Sequence, residues 1–123
     1  MSNPFPSLPK RPPNRPALID VPVPIVLASS SETRRRLLSE LVARFEVVEP
    51  GPAEADVDSP EPEALVRRRA EAKAREVSRR RPGSLVIGAD TAVVCSGELM
   101  GKPRDRDDAL RMLRSLSRHP QRV

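Results

Sequence analysis

The distribution of proline constrains this chain more than any other sequence feature. Eight of the 15 prolines lie within residues 1–24, where no acidic residue occurs before Asp20. Because proline lacks a backbone donor and fixes φ, most of this segment is closed to helices and to sheet interiors. We predict a disordered proline-rich tail over residues 1–24 and one folded domain over residues 25–123.

The tail is also a candidate interaction segment. Residues 6–16, PSLPKRPPNRP, have the spacing and the basic flank of a ligand for a polyproline-binding partner. No apolar region typical of a secretion signal is found in it, and its prolines oppose the amphipathic helix of a transit peptide. We therefore expect the tail to be retained.

Composition restricts the folded part to a small domain with an aliphatic core. The 123 residues include no Trp or Tyr and only two Phe, and no apolar run approaches the roughly 18 residues of a membrane span. A lone cysteine, Cys95, cannot form an internal disulfide, which fits a reducing compartment. The net charge of +5 favours anionic ligands, although a solvated arginine-rich helix face explains it equally well. Aromatic residues interleaved with basic ones, which would stack on bases, are absent, so we expect no nucleic acid polymer as partner.

From Pro24 onward, short β-branched runs alternate with helical periodicity, which predicts an α/β or α+β domain. Residues 25–28, IVLA, form a candidate buried strand. Leu37, Leu38, Leu41 and Val42 recur at helical spacing, and residues 45–48 can return as a second strand. The order predicts a strand, helix, strand unit.

The second part of the chain repeats this alternation. We predict a helix from near Ser59 and Pro60 to about Arg80, because serine caps helices and proline suits the first helical position. One strand should follow over residues 85–94, turned back at residues 96 and 97. Asp105 should cap a final helix. The apolar face of that helix would contain Ala109, Met112, Leu113 and Leu116.

The segment IVLASSSETRRR combines a strand end with hydroxyls and arginines. Backbone N–H groups at the helix start, together with Ser29, Ser30 and Ser31, could hold phosphate oxygens. Arg34, one turn into the helix, could donate to the same anion. The alternative is that the serines cap the helix and the arginines are solvated.

Lys73 shares an apolar helical stripe with Val66, Ala70 and Val77, so its ammonium should face inward and require an anion near its tip. Alternatively, it snorkels past the edge of a small domain. Asp90 interrupts an apolar run in which Gly88 would allow close approach of another backbone or a ligand. Counting through a hairpin at residues 96 and 97 places Thr91 opposite Lys102, next to Asp90. A structural ion pair is the competing interpretation of Asp90.

These side chains together suit phosphoryl chemistry. Three cations and the serines would converge on an oxyanion, while Asp90 and an acid from the loop containing Glu54, Asp56 and Asp58 would hold a hard divalent ion. Mg²⁺ would bridge phosphate oxygens, and a carboxylate would orient or deprotonate the attacking water. The sequence contains neither a P-loop nor GxGxxG. Cys95 and His119 lack partners for a metal cluster or a nucleophilic dyad, so Cys95 is expected to be a small core residue.

Taken in order, these segments resemble the Maf family of nucleoside triphosphate pyrophosphatases. The resemblance rests on four motifs within residues 25–117: LASSSETRRRLL, AEAKA, VIGADTAVV and GELMGKPRDRDDALRML. It implies an α/β fold, namely a Maf-like (inosine triphosphatase-like) mixed sheet flanked by helices. It further implies a cytoplasmic location, a homodimer, and Mg²⁺ or another divalent cation as cofactor.

The same resemblance implies the reaction and the residue roles. A nucleoside triphosphate would be hydrolysed to a monophosphate and pyrophosphate, and GADT looks like the branch of the family that acts on dTTP and UTP. The implied roles are phosphate or nucleotide contact by Ser29, Ser31 and Arg34, triphosphate binding by Lys73 and Lys102, and catalytic and metal-binding functions for Asp90 and Glu54. Asp56 or Asp58 could replace Glu54.

The sequence departs from the family pattern at its end, where it reads LSRHPQRV and stops. The resemblance implies further strands and the second wall of a cleft, so we expect a partial domain truncated after its first half. Its ligand residues would be present while its catalysis is weak or lost. Two alternatives follow: an inactive form that binds nucleotide or pairs with a partner, and an interaction module acting through the tail.

Overall fold

The computed structural model describes residues 19–52 and 57–123. This part of the chain alternates strands and helices, in the order β1 Ile25–Ala28, α1 Glu32–Ser39, β2 Glu46–Val48, α2 Pro62–Arg80, β3 Leu85–Gly88, β4 Val93–Cys95, β5 Glu98–Met100, α3 Arg106–Arg118 and β6 Gln121–Arg122. None of these helices is both long enough and apolar enough to span a bilayer. The predicted α/β class is confirmed.

A three-stranded parallel sheet in the order β2-β1-β3 is the centre of the fold. In its register Val26 pairs with Glu46 on one side and with Val86 on the other. The predicted strand, helix, strand unit is therefore confirmed as β1, α1 and β2. All four residues of β1 are buried, as expected for a strand covered on both faces.

The two faces of β1 are covered by different helices. Ile25 and Leu27 pack with Leu38 of α1, whereas Val26 and Ala28 pack with Val77 of α2. This division follows from the period-2 alternation of a strand. The core is aliphatic, as predicted, and α2, the helix that carries Lys73, packs on β1 and β3.

The second sheet is antiparallel, in the order β5-β4-β6. Cys95 pairs with Glu98 across the turn, which confirms the predicted hairpin. Ser96 and Gly97 both have positive φ, 53° and 76°, which is the geometry of a two-residue type I′ turn. Cys95 is buried with its Sγ 3.5 Å from the Ser115 carbonyl oxygen, and is thus the small core residue that the sequence predicts.

The single strand predicted over residues 85–94 is wrong. The segment contains two strands in two different sheets, β3 and β4, separated by residues 89–92. The break follows the packing of β3, because Gly88 lies against Ala70 of α2 and Asp90 turns toward Lys73 on the same helix.

Two details of the helices also differ from prediction. Helix α2 begins at Pro62 rather than near Ser59, because Pro62 takes the first helical position and the Ser59 hydroxyl accepts the Glu61 N–H outside the helix. Leu113 is 62% exposed rather than buried. Ser115 faces Cys95 of β4, and a residue two positions away along a helix points to the opposite side.

The described chain before β1 also contacts the domain. Ile19 forms an isolated parallel bridge with Val42, and its N–H donates to the Leu41 carbonyl at 3.1 Å. The Pro24 carbonyl accepts the N–H of Leu85 at 2.8 Å. Residues 1–18, with the predicted polyproline segment, lie outside the described residues.

Candidate functional site

A buried ion pair joins Lys73 of α2 to Asp90, two residues beyond the end of β3. The Lys73 Nζ lies 3.1 Å from Asp90 Oδ1 and donates to the Ala89 carbonyl at 3.2 Å. Only 8% of the Lys73 side chain and 10% of the Asp90 side chain are exposed. The predicted inward orientation of Lys73 and the predicted anion near its tip are both confirmed.

The second carboxylate oxygen of Asp90 distinguishes this pair from a purely structural one. Oδ2 is buried, and in the described part of the chain it has no hydrogen-bond partner. Leaving such an acceptor unsatisfied costs about 1–3 kcal/mol, so native structures keep few of them. Oδ2 is therefore an acceptor of this site that the described residues leave unused.

The donor set at Asp90 suits a hard divalent cation only in part. Mg²⁺ takes one or two carboxylates and completes its shell with phosphate oxygens and water, and Asp90 Oδ2 fits the first requirement. Among residues 19–52 and 57–123, no group of three His, Cys, Asp or Glu side chains could hold a metal ion. Glu54 and Asp56, predicted as further ligands, lie outside the described residues, and Asp58 is exposed.

A cavity of about 340 Å³ opens beside Asp90. Its volume lies within the range of small-molecule sites, and its lining combines an apolar wall with a few polar groups. Glu63 and Arg122, which form an exposed ion pair at 3.5 Å, also line it. The other lining residues are Pro62, Val66, Thr91, Ala92, Val94 and Val123.

The serines after β1 support the helix start and the strand end. Ser31 caps α1 by accepting the Arg34 N–H at 3.3 Å, and the buried Ser29 hydroxyl accepts the Ser31 N–H at 3.0 Å. Ser31 therefore acts as the helix cap that the alternative interpretation predicts. Ser30 is exposed.

Arg34 is brought to the same edge as Asp90. Its Nη2 donates to Thr91 Oγ1 at 3.0 Å, and Thr91 directly follows Asp90. The contact joins α1 to the connection between β3 and β4 across 57 positions of sequence. The structure thus gathers Arg34, Lys73 and Asp90 within one region, with Ser29 and Ser31 at the start of the helix that carries Arg34.

Lys102 is not part of that cluster. It is exposed, follows β5, and lines a second cavity of about 230 Å³ with Arg104 and Asp108. The predicted pairing of Thr91 with Lys102 is wrong, because the ladder between β4 and β5 ends at Val93 and Met100. Within the described residues, no hydrogen bond or ion pair joins Lys102 to Asp90, whose carboxylate is turned toward Lys73.

Sequence reasoning missed the acid that anchors this second region. Asp108, with 8% of its side chain exposed, accepts the Arg104 N–H at 3.0 Å and two donors of Arg111, at 3.0 and 2.9 Å. The Arg104 backbone N–H and the Arg111 guanidinium hold the pKa of Asp108 below its ordinary value. The signal available in the sequence was the i, i+3 spacing of Asp108 and Arg111 behind a capping Asp105.

This pKa shift predicts how the stability of the chain depends on pH. Since the folded-state pKa lies below the unfolded-state value, the ionised Asp108 stabilises the fold above the ordinary aspartate pKa of about 3.9 and loses this contribution as the pH falls through the folded-state value. Urea unfolding should therefore show Asp108→Asn less stable than wild type at pH 7, with the difference shrinking below about pH 4. The exposed Asp107→Asn on the same turn is the control. A difference that stays constant down to pH 2 would contradict the prediction.

With the geometry described, comparison with known proteins defines the class. Residues 24–123 match the family described as Maf-like protein, and the chain belongs to that family. It is 50% identical over 99 residues to the dTTP/UTP pyrophosphatase of Geotalea uraniireducens. The matched region covers 80% of this chain and 51% of that relative. It is 45% identical over 95 residues to the dTTP/UTP pyrophosphatase of Nitratidesulfovibrio vulgaris, covering 76% of this chain and 45% of the relative.

A third relative carries a different substrate name. The 7-methyl-GTP pyrophosphatase of Idiomarina loihiensis is 41% identical over 95 residues, covering 76% of this chain and 48% of the relative. The chain spans about half the length of the curated relatives it matches. All three relatives are thus nucleoside triphosphate pyrophosphatases, although their names give different substrates.

Proposed function

We propose that this chain acts on a nucleoside triphosphate, most suitably dTTP or UTP, and hydrolyses the anhydride between its α- and β-phosphates to release the monophosphate and pyrophosphate. The observation that carries the proposal is the buried Lys73–Asp90 pair, whose Oδ2 is unsatisfied and whose acid lines a cavity of ligand size. The names of the relatives support the reaction class, and two of the three relatives described above are named for dTTP and UTP. The resemblance of GADT to that branch of the family supports the same choice.

The proposed roles follow from charge and position. Arg34 and Lys73 are cations on the two helices that face the Asp90 edge, so they would neutralise phosphate oxygens there. Ser29 and Ser31 would add hydroxyl and N–H donors at the start of α1. Lys102 would reach the triphosphate from the segment after β5, as the family resemblance implies.

The chemistry needs one water and one leaving group. The water oxygen bonds to the α-phosphorus as the bond to the bridging oxygen breaks, and pyrophosphate leaves with that electron pair. A proton of the water passes to a carboxylate, either Asp90 or Glu54. When bound, Mg²⁺ would supply charge neutralisation on the phosphate oxygens, with Asp90 Oδ2 and Glu54 as its protein ligands.

The competing function is nucleotide binding without hydrolysis, with or without a protein partner. It draws on the groups gathered at Asp90, which could hold phosphate oxygens whether or not hydrolysis follows. A homodimer, a polyproline-binding partner for the tail and a cytoplasmic location remain predictions from the sequence.

The test is pyrophosphate release by the purified 123-residue chain against a panel of nucleoside triphosphates with Mg²⁺. We expect turnover that Asp90→Asn lowers by at least about a hundredfold, since removing one electrostatic contact in an active site costs roughly 10²–10³ in rate. Asp107→Asn is the matched control, because it removes the same charge from an exposed position. Circular dichroism establishes that each variant is folded.

Each outcome of this experiment is informative. Full activity in Asp90→Asn would contradict the assignment of Asp90. A folded wild-type chain without turnover, whose melting temperature rises on adding nucleotide, would favour the binding function. A chain with neither turnover nor ligand-induced stabilisation would overturn both.

A further inference from the structure

The segment that carries Lys102 is held by a network unrelated to the Lys73–Asp90 pair. Residues 101–104 connect the end of β5 to the cap of α3, and all four are exposed. At one end, Met100 pairs with Val93 in the hairpin ladder. At the other end, the Arg104 N–H donates to Asp108 Oδ2 at 3.0 Å.

Asp108 links that end back to the strand from which the segment starts. Its Oδ1 accepts both Nε and Nη2 of Arg111, whose Nη1 donates to Glu98 Oε2 on β5 at 3.1 Å. The contacts from Glu98 through Arg111 and Asp108 to Arg104 close a ring around residues 101–104. Lys102 lies four residues after Glu98 and two residues before Arg104, so the chain is anchored on both sides of it.

Helix initiation accounts for only part of this buried acid, because its contact with the Arg104 N–H resembles the reciprocal half of a capping box whereas its contacts with Arg111 lie beyond the first turn. Asp105 already caps α3 by accepting the Asp108 N–H at 2.7 Å, and Asp107 already supplies an exposed negative charge in the first turn. Burying a carboxylate carries a desolvation cost that an exposed residue at position 108 would avoid. In Asp108 that cost is offset by two donors of Arg111 and by the Arg104 N–H at the end of the Lys102 segment.

We propose that Asp108 is a positioning residue, which fixes residues 101–104 so that Lys102 meets the phosphate groups of the ligand. The inference rests on the proposed function, in which Lys102 binds the triphosphate. Asp108 itself touches no phosphate, because a carboxylate would repel it. The bond from the Arg104 N–H to Asp108 holds the backbone from which the lysine projects, and Arg111 links Asp108 to Glu98 on β5.

The sign of the effect separates positioning from simple electrostatics. Removing a negative charge near a cationic site should tighten anion binding on electrostatic grounds alone. If Asp108 positions Lys102, its removal should weaken anion binding instead. We expect Asp108→Ala to raise the Kd for tripolyphosphate roughly tenfold, the scale set by a hydrogen bond to a charged group.

The experiment is calorimetric titration of the full chain with sodium tripolyphosphate and Mg²⁺, using wild type, Asp108→Ala, Lys102→Ala and the double variant. Asp107→Ala is the control for charge and helix propensity. If Asp108 acts through Lys102, the double variant should bind no more weakly than Lys102→Ala alone. Amide exchange of Arg104 should accelerate in Asp108→Ala while that of β1 stays unchanged.

Four results would overturn the positioning role. They are tripolyphosphate binding that is unchanged or tighter in Asp108→Ala, additive losses in the double variant, loss of affinity in Asp107→Ala equal to that in Asp108→Ala, and unaltered exchange at Arg104. Should Asp108→Ala fail to fold, Asp108→Asn keeps the shape while removing the charge and one acceptor. A wild-type chain that does not bind tripolyphosphate would overturn the proposed function itself.

Discussion

Lys73→Met is expected to lower the free energy of unfolding by about 3–5 kcal/mol at neutral pH, the usual cost of removing one partner from a buried ion pair. The variant leaves the Asp90 carboxylate 90% buried, with Oδ1 deprived of its ammonium donor. Oδ2 has no hydrogen-bond partner in the described structure to begin with. Methionine retains the apolar length of the lysine stem, so the loss reports the charge rather than a cavity.

Urea unfolding followed by circular dichroism measures this loss. Arg75→Met is the matched control, because Arg75 on the same helix pairs with Glu71 while 69% exposed, and exposed pairs contribute about 0–1 kcal/mol. Adding Asp90→Asn to Lys73→Met should recover much of the stability, since it removes the uncompensated charge. Equal effects of Lys73→Met and Arg75→Met would show that the pair contributes no more than a surface contact.

The recovery in the double variant also separates stability from function. A chain with Lys73→Met and Asp90→Asn should fold while losing both groups that the proposed site needs. Apolar replacements of buried ion pairs are often neutral or stabilising, so folding alone does not require this pair. Stability regained without ligand binding would therefore assign Lys73 and Asp90 to the chemistry of the site.

The parts of the fold that follow from local pattern were predictable from the sequence. The apolar run of residues 25–28 predicted a buried strand, and the helical spacing around Leu38 predicted α1. In both cases the spacing of apolar residues indicates the type of element and the face that is buried. The hairpin at Ser96 and Gly97 was predictable from turn chemistry. Local pattern failed over residues 85–94, where β-branched residues continue across a break imposed by contacts with α2.

The sequence predicted that Lys73 faces inward and that Asp90 needs a partner, but it did not predict that the two meet. The helical stripe identified Lys73 as inward-facing, and the interrupted apolar run identified Asp90 as an acid in need of a partner. The partner was misassigned, because counting through a hairpin is local whereas Lys73 and Asp90 meet across 17 positions through the packing of α2 on β3. The burial of Asp108 was not predicted, because acids in the first turn of a helix are usually exposed and the sequence pattern of α3 does not distinguish a buried one.

Gly88→Ala is expected to destabilise the chain by about 3 kcal/mol, at the upper end of the usual cost of overpacking. A Cβ at this position would overlap the Ala70 carbonyl oxygen and would lie 3.0 Å from the Ala74 Cβ and 3.1 Å from the Ala74 nitrogen. Two of these neighbours are backbone atoms of α2, which no rotamer change can move. The helix must therefore shift away from β3 as a unit.

Gly101→Ala is the control for this prediction, because a Cβ there would meet nothing within 4 Å. It should change stability little or raise it slightly, since alanine restricts the unfolded chain more than glycine does. Similar unfolding midpoints for the two variants in urea would contradict the close packing of β3 on α2. The expected loss also reaches the site, since Lys73 lies between Ala70 and Ala74 on the helix that must move, whereas Asp90 lies two residues beyond Gly88, the last residue of β3. One methyl group at Gly88 should therefore separate the Lys73 ammonium from the Asp90 carboxylate, and folded Gly88→Ala should bind tripolyphosphate more weakly than wild type.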